Sequence, residues 1–420
     1  MKILAIDTSC DDTSVAVVEK KNNQIKAMSN IVSSQIKIHA PYGGIYPMLA
    51  KRAHQENLAP TLIQSLKKAG LLKAQSAKLS TRGHSTELSR GPQAEGCKAQ
   101  SCNSKFKILN KILNRDPALL EKTMNFLAKY EKPAIDAIAI TNGPGLEPCL
   151  WQGVNFAKAL SFWWGLPLIP VNHIKAHLTA NFISENSKKQ ETRNKQIQFP
   201  AIGLVASGGH TELILMKKQG DYKLIGSTRD DASGECFDKT ARILGLPYPG
   251  GPAIAALAAR FKIQDSRFKI ELPRPMIKSN NFDFSFSGLK TAVLYDFQKR
   301  EKKMRESQDY KILMAKEIQQ AIIDVLIAKT LKAAKKFNAK SIITGGGVMA
   351  NKELRNQLKV QSSKCKINFL VPPKNLCMDN AAMAGAEALI SKPKVINPQR
   401  ERATFGAGWQ KIKVNGNLNI

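Results

Sequence analysis

His173 and His177 stand four residues apart in His173-Ile174-Lys175-Ala176-His177, which puts both imidazoles on one face if the segment is helical. Two ring nitrogens at that spacing can share one divalent metal. The segment is not a metallopeptidase helix, because Ile174 occupies the position where H-E-x-x-H carries its glutamate base. A third ligand has to come from elsewhere, and Asp379, in Cys377-Met378-Asp379-Asn380 at an expected strand–helix junction, is a candidate. Two histidines and a carboxylate leave coordination positions open for substrate oxygens and suit Fe(II) or Zn(II).

Three turns are suited to a phosphate or nucleotide: Asp7-Thr8-Ser9, Ser207-Gly208-Gly209-His210-Thr211 and Gly345-Gly346-Gly347-Val348. Small residues there let backbone N–H groups approach an anion closely. A single glycine turn is most often only a turn; three at strand ends in two matching halves are a stronger signal. None fits the P-loop or the dinucleotide fingerprint. The acids and lysine of residues 233–239 are explained equally well by a helix start, and residues 283–290 read as a rigid loop pinned by its aromatics.

The elements that must position these groups follow from periodicity. Strands are expected at 2–7 and 13–18 around a polar turn, a helix over 47–72, a buried strand at 135–141 and a helix over 154–164. A second strand–turn–strand series begins at Ala201, followed by a helix over 318–334, a strand at 341–344 and a small-residue helix over 378–389. Two similar α/β halves facing a cleft are the architecture this implies. Between 73 and 106 the periodicity is lost, which reads as an irregular insertion; an amphipathic pattern returns over 106–130, split by Pro117. Residues 73–132 carry twelve basic and five acidic side chains.

The whole chain of 420 residues has 64 Lys and Arg against 33 Asp and Glu, a formal charge of +31. Such a field attracts nucleic acid or an anionic membrane, though a generally lysine-rich composition would produce it too. No stretch approaches the roughly 18 to 20 uncharged apolar residues of a membrane span, and Asp7 interrupts the apolar start that a signal peptide would continue. Seven widely spaced cysteines, the closest pair being Cys97 and Cys102, form neither a disulfide framework nor a zinc-ribbon pattern, so a reducing, cytoplasmic setting is expected.

Taken together, the runs at 6–13, 39–44, 143–146, 173–177, 205–211, 230–240, 249–252, 282–290, 345–351 and 377–383 resemble the TsaD (Gcp, Kae-type) family, the tRNA adenosine threonylcarbamoyltransferases. The resemblance covers about 1–72 and 133–408. It implies the actin, sugar-kinase and Hsp70-like (ASKHA) α/β fold of two ribonuclease-H-like lobes with a ligand cleft between them. Lobe I would span 1–172 with the basic insertion at 73–132, lobe II 173–379, and 380–420 would form a C-terminal helix and tail returning to lobe I. It implies transfer of a threonylcarbamoyl group from threonylcarbamoyl-AMP to N6 of adenosine 37 in tRNAs reading codons that begin with A. By motif match, His173, His177 and Asp379 would hold one divalent metal, Fe(II) ahead of Zn(II). Val205, Ala206, Ser207, Gly208, Gly209, Asp238, Gly251 and Asn351 would hold the substrate nucleotide and threonyl groups. Asp11 is a candidate for taking the N6 proton. Expected partners are the tRNA anticodon stem-loop, a TsaB-like paralogue and a TsaE-like ATPase, with no membrane. The insertion, if it lies at the cleft rim, would grip tRNA; otherwise it is a tolerated surface segment.

The chain departs from the family at Asp12 and Met48, each where a glutamate is usual, at Asn172 in place of a frequent histidine, and at Glu147-Pro148-Cys149. The alternatives are a small-molecule kinase or ATPase of the same fold, which would not need the His173–His177–Asp379 set, a metallopeptidase, and a non-enzymatic scaffold paralogue, which should have lost that set.

Overall fold

Ile3, Leu4, Ala5 and Ile6 form an apolar run, and such a run is stable as a strand when both of its faces are covered. The computed structural model describes residues 1–22, 24–75, 96–184, 197–261, 269–391 and 412–420, with backbone alone for 96–104. In it the run is β1 (Lys2–Asp7), with all four side chains fully buried. β1 pairs antiparallel with β2 (Thr13–Lys21) and parallel with β4 (Ala137–Gly143), and β2 pairs antiparallel with β3 (Gln24–Ser33). With β5 (Leu168–Asn172) and β6 (Ile183–Ser184) the order is β5-β4-β1-β2-β3-β6.

The second sheet repeats the plan. β7 (Ala201–Ala206), β8 (Thr211–Met216) and β9 (Tyr222–Ser227) form an antiparallel meander, and β10 (Ser341–Gly345) and β11 (Asn368–Leu370) add parallel strands in the order β11-β10-β7-β8-β9. Apart from β6, order and strand sense are the same in both sheets. This duplicated ribonuclease-H-like half is the ASKHA-type α/β fold that the resemblance implies.

Several boundaries differ from expectation. β6 pairs with β3, Ile183 opposite Ile25, so the first sheet reaches past residue 172. The helix expected from 154 begins seven residues earlier, as Glu147–Trp164, because Pro148 is favourable in a first turn, where its missing N–H costs nothing. Of the stretch expected to be irregular, 76–95 lies outside the described residues, while 96–106 is helical and belongs to the helix Gly96–Leu113. That helix and Pro117–Lys129 bury Leu109, Ile112, Leu113, Leu119, Phe126 and Leu127 in the same core as Leu4, Val15 and Ile138. The second half of the expected insertion is thus part of the first lobe's packing.

The helix Ala381–Ile390 is built of small residues because it lies close on the first sheet: a Cβ on Gly385 would come within 2.6 Å of Val18 Cγ2. Residues 412–420 run along the same lobe. Lys158 Nζ donates to the Ile412 carbonyl (2.9 Å), and Asn415 N donates to the Asn142 carbonyl (3.0 Å).

Candidate metal centre and cleft

Asn172 ends β5 and caps the helix His173–Thr179, its Oδ1 accepting from Ile174 N (2.9 Å) and Lys175 N (3.1 Å). The cap sets where the helix starts, and so places His173 and His177 on one face, ring centroids 4.6 Å apart at 72°. Asp379 arrives from the turn before Ala381–Ile390, where Asn380 caps that helix through Met383 N (3.1 Å). Asp379 Oδ1 lies 3.5 Å from His173 Nε2 and 3.3 Å from His177 Nε2. The donor atoms of all three residues fall within 4.8 Å of one another.

Asp7 stands behind this set. Its Oδ1 accepts from Ser9 N (2.8 Å), and its Oδ2 accepts from Thr141 Oγ1 (2.9 Å) and from His173 Nδ1–H (3.3 Å). That contact leaves His173 Nε2 as the ligand atom, facing Asp379. Both ring nitrogens of His177 are buried without a hydrogen bond of ordinary geometry, a costly arrangement unless something else binds them. On these observations the set fits a divalent cation, with two nitrogen donors and one oxygen. Burial works to raise the Asp379 carboxyl, but His173 and then His177 hold it well below the usual range. Burial would likewise depress His173, yet Asp379 and Asp7 raise it to about 10, while burial and then the neighbouring His173 lower His177. Asp7→Asn is expected to cost about 10- to 100-fold in metal affinity with the fold kept, measured by competition with a chelator.

The three turns have different duties. In Asp7-Thr8-Ser9, a turn suited to phosphate or nucleotide, the side chains are engaged within the protein: Asp7 orients His173, and Thr8 Oγ1 donates to the Cys149 carbonyl (2.9 Å). In Gly345-Gly346-Gly347 the first two glycines answer to crowding. A Cβ on Gly345 would meet the His177 carbonyl at 2.4 Å, and Gly346, at φ +92°, meets the Ala206 carbonyl at 2.3 Å. Gly346→Ala is therefore expected to lose about 2–4 kcal/mol of stability, seen as a lower urea midpoint at unchanged slope.

The middle turn is open. Ser207 N donates to the His210 carbonyl (2.8 Å) and Ser207 Oγ accepts from His210 N (3.1 Å), while a Cβ on Gly208 or Gly209 would meet nothing within 4 Å. Val205 and Ala206 are fully buried in β7, Val205 opposite Gly345 and Glu212 and Ala206 opposite Thr211, so the structure does not expose them at the turn. Asp238 Oδ1 accepts from Gly250 N (2.7 Å) at the start of the helix Gly250–Ala258, beside half-buried Gly251. Burial raises the Asp238 carboxyl against the Gly250 and Gly251 N–H groups and Arg242. Asn351 is engaged within the protein: Oδ1 accepts from Leu354 N (3.0 Å), and Nδ2 donates to Gln319 Oε1 (2.8 Å).

Asp11 is half-buried in the β1–β2 turn, and burial followed by the charge of Asp379 raises its carboxyl to about 6. Burial, then Asp11 and Asp379, raise neighbouring Asp12 to about 7. Two further groups escape the sequence reading. Burial raises the Tyr248 phenol, and the charges of Asp11 and Asp238 raise it further. Burial, then His173 and His177, lower His210 to about 4. Tyr248 directly precedes the Pro249–Pro252 run, and His210 lies inside the second turn; position beside those motifs was the available signal.

Fold and site define a two-lobed α/β protein with a His-His-Asp cluster where the lobes meet and an open glycine turn in the second lobe. The sequence pattern of the family described as "TsaD: tRNA N6-adenosine threonylcarbamoyltransferase" matches residues 26–78 and 115–386. Proteins named tRNA N6-adenosine threonylcarbamoyltransferase are 38% identical over 92% of this chain and 91% of theirs in Syntrophomonas wolfei, and 40% identical over 91% and 88% in Persephonella marina. The chain belongs to this family, and with it to the acyltransferases. The match resumes at 115, so the segment without a family counterpart narrows from 73–132 to about 79–114. Solved structures with similarity include full-length HypF in its phosphate- and nucleotide-bound form (TM-score 0.47, 12% identity, 93% of this chain and 55% of that one). YeaZ from Pseudomonas aeruginosa is another (TM-score 0.25, 14% identity, 54% and 67%). Among the described residues no helix is long and apolar enough to cross a membrane.

Proposed function

We propose that this chain transfers the threonylcarbamoyl group of threonylcarbamoyl-AMP to N6 of adenosine 37 in tRNAs reading codons that begin with A, acting in the cytoplasm with a TsaB-like paralogue and a TsaE-like ATPase. The observation that carries the reading is the convergence of His173, His177 and Asp379 within 4.8 Å in a member of this family. The adenine N6 amine is a poor nucleophile because its lone pair is delocalised into the ring, so the acyl carbon has to be activated and oriented. Bond formation from N6 to the carbamoyl carbon breaks the carbon–oxygen bond to AMP, which leaves with the electron pair. The turn is open at Gly208 and Gly209, whose backbone N–H groups can meet an anionic part of the donor, while Ser207 N is held by the His210 carbonyl. Asp11, at about 6, is an acid–base group matched to neutral pH and takes the N6 proton. A divalent cation on His173, His177 and Asp379, Fe(II) ahead of Zn(II), would supply Lewis-acid polarisation and an anchor for threonyl oxygens. Nucleoside analysis of tRNA after depletion of the protein tests the proposal: threonylcarbamoyladenosine should disappear, and an unchanged level overturns it.

Phosphate contacts supply most sequence-independent affinity for tRNA. Lys107, Lys111 and Arg115 are exposed at i, i+4, i+8 spacing, opposite the buried Leu109, Ile112 and Leu113. Changing all three to Gln is expected to flatten the log–log salt slope of tRNA binding by about 2–3. An unchanged slope would make this basic face surface decoration.

A further inference from the structure

Tyr42, Tyr46 and Met48 lie 62%, 54% and 50% exposed within seven positions. Single exposed apolar side chains are common, but a cluster marks a contact surface. The two tyrosine rings stand 5.9 Å apart, tilted by 31°. Their backbone is firmly held. His39 is fully buried; its Nδ1 accepts from Tyr46 N (3.3 Å), and its Nε2 pairs with Gln35 Oε1 (3.2 Å). Gly43 N donates to the Ala40 carbonyl (3.1 Å), and the Gly43 carbonyl accepts from the Arg242 guanidinium of the second lobe. Rings presented on a fixed base lose little freedom when something stacks on them.

Two links tie this surface to the cleft. Gln35 also reaches His54 Nδ1 (3.5 Å), whose Nε2–H donates to the Cys10 carbonyl (3.0 Å), directly before Asp11. Arg242 lies one helical turn beyond Asp238 on the helix Ser233–Ile243. The segment that carries the tyrosines is therefore tied both to the turn before Asp11 and to the helix that carries Asp238. Residues 20–55 contain six Lys and Arg and no Asp or Glu. Aromatic faces in a stretch free of acid suit a polyanion whose bases have π-faces, as in a single-stranded RNA loop.

We propose that Tyr42 and Tyr46 form a stacking platform for an unpaired base of the tRNA anticodon loop that flanks the target adenosine. This rests on the proposed function. Drawing the adenosine into the cleft removes a stacking partner from its neighbour in the loop, and the tyrosine pair replaces it. Met48, where the family usually has a glutamate, keeps an anionic side chain away from that base.

The test uses the full-length protein and an anticodon stem-loop carrying a fluorescent adenine analogue next to the target adenosine. Wild type should quench the analogue on binding. The Tyr42→Ala/Tyr46→Ala double variant should lose the quenching and bind about 10- to 100-fold more weakly. Its salt slope and its affinity for a blunt RNA duplex of equal charge should stay as in wild type, because phosphate contacts are untouched. Tyr42→Phe/Tyr46→Phe should keep both quenching and affinity. Unchanged quenching and affinity in the alanine variant overturn the platform. So does an equal loss on the duplex, or intact RNA binding with loss of a protein partner in its place. Transfer assayed in the same samples separates the two proposals. A wild type that modifies tRNA, with an alanine variant that binds and modifies equally well, overturns the platform alone. A wild type that never modifies, yet binds the loop through these rings, overturns the reaction and keeps the platform.

Discussion

His177→Ala should purify with less than a tenth of the wild-type metal and transfer threonylcarbamoyl about 10²–10⁴-fold more slowly, the several kcal/mol that a Lewis acid contributes. His177 has no hydrogen bond of ordinary geometry to lose, so the variant gives up a ligand and some packing. His177 is fully buried, however, and alanine leaves a void; His177→Gln fills part of it and serves as the second variant. Metal analysis beside circular dichroism checks the expectation. A folded His177→Ala protein with full metal content and wild-type rate would exclude His177 as a ligand.

Asp11→Asn has the second large effect, a loss of about 10²–10⁴-fold in transfer if Asp11 accepts the N6 proton. As a base it must be ionised, so the wild-type rate should climb with pH through about 6 and then level, and the variant should lack that limb. The same substitution has an opposite effect on stability. Burial and then Asp379 hold the folded-state carboxyl at about 6, above its ordinary 3.8, so between those values the folded chain keeps a proton that the unfolded chain has released. The Asp11 contribution to the stability of the metal-free protein therefore falls as pH rises through that window, and the amide removes that contribution. Metal-free Asp11→Asn should therefore melt higher than wild type at pH 7 to 8 and lose the advantage near pH 4. A variant that melts lower at neutral pH would place Asp11 in a structural role.

Much of this was legible in the chain because local chemistry decided it. The run Ile3 to Ile6 could only be a covered strand, and the four-residue spacing of His173 and His177 needed nothing beyond a short helix to bring the rings to 4.6 Å. Motif order likewise carried the family and the repeated halves. Other features depended on partners remote in sequence. Asp379 meets the histidines across about 200 positions of chain, and Arg242 of the second lobe reaches the Gly43 carbonyl across a similar distance. Asp7 had the look of a phosphate turn, yet β4 brings Thr141, and β5 brings His173, to its carboxylate. The glycines at 345 and 346 had the same look, and close approach of the His177 and Ala206 carbonyls explains them. Residues 96–106 lack apolar periodicity and are helical nonetheless, within a helix whose later turns pack on the first lobe. By itself the sequence determined the apolar strand–turn–strand runs that open each half, their repetition and which side chains can ligate, because those depend on neighbours a few residues away. Only the tertiary structure decided which carboxylate orients His173, which glycines are crowded by other backbone and which acids are raised by burial, because burial and through-space charge are set by groups the chain keeps far apart until it folds.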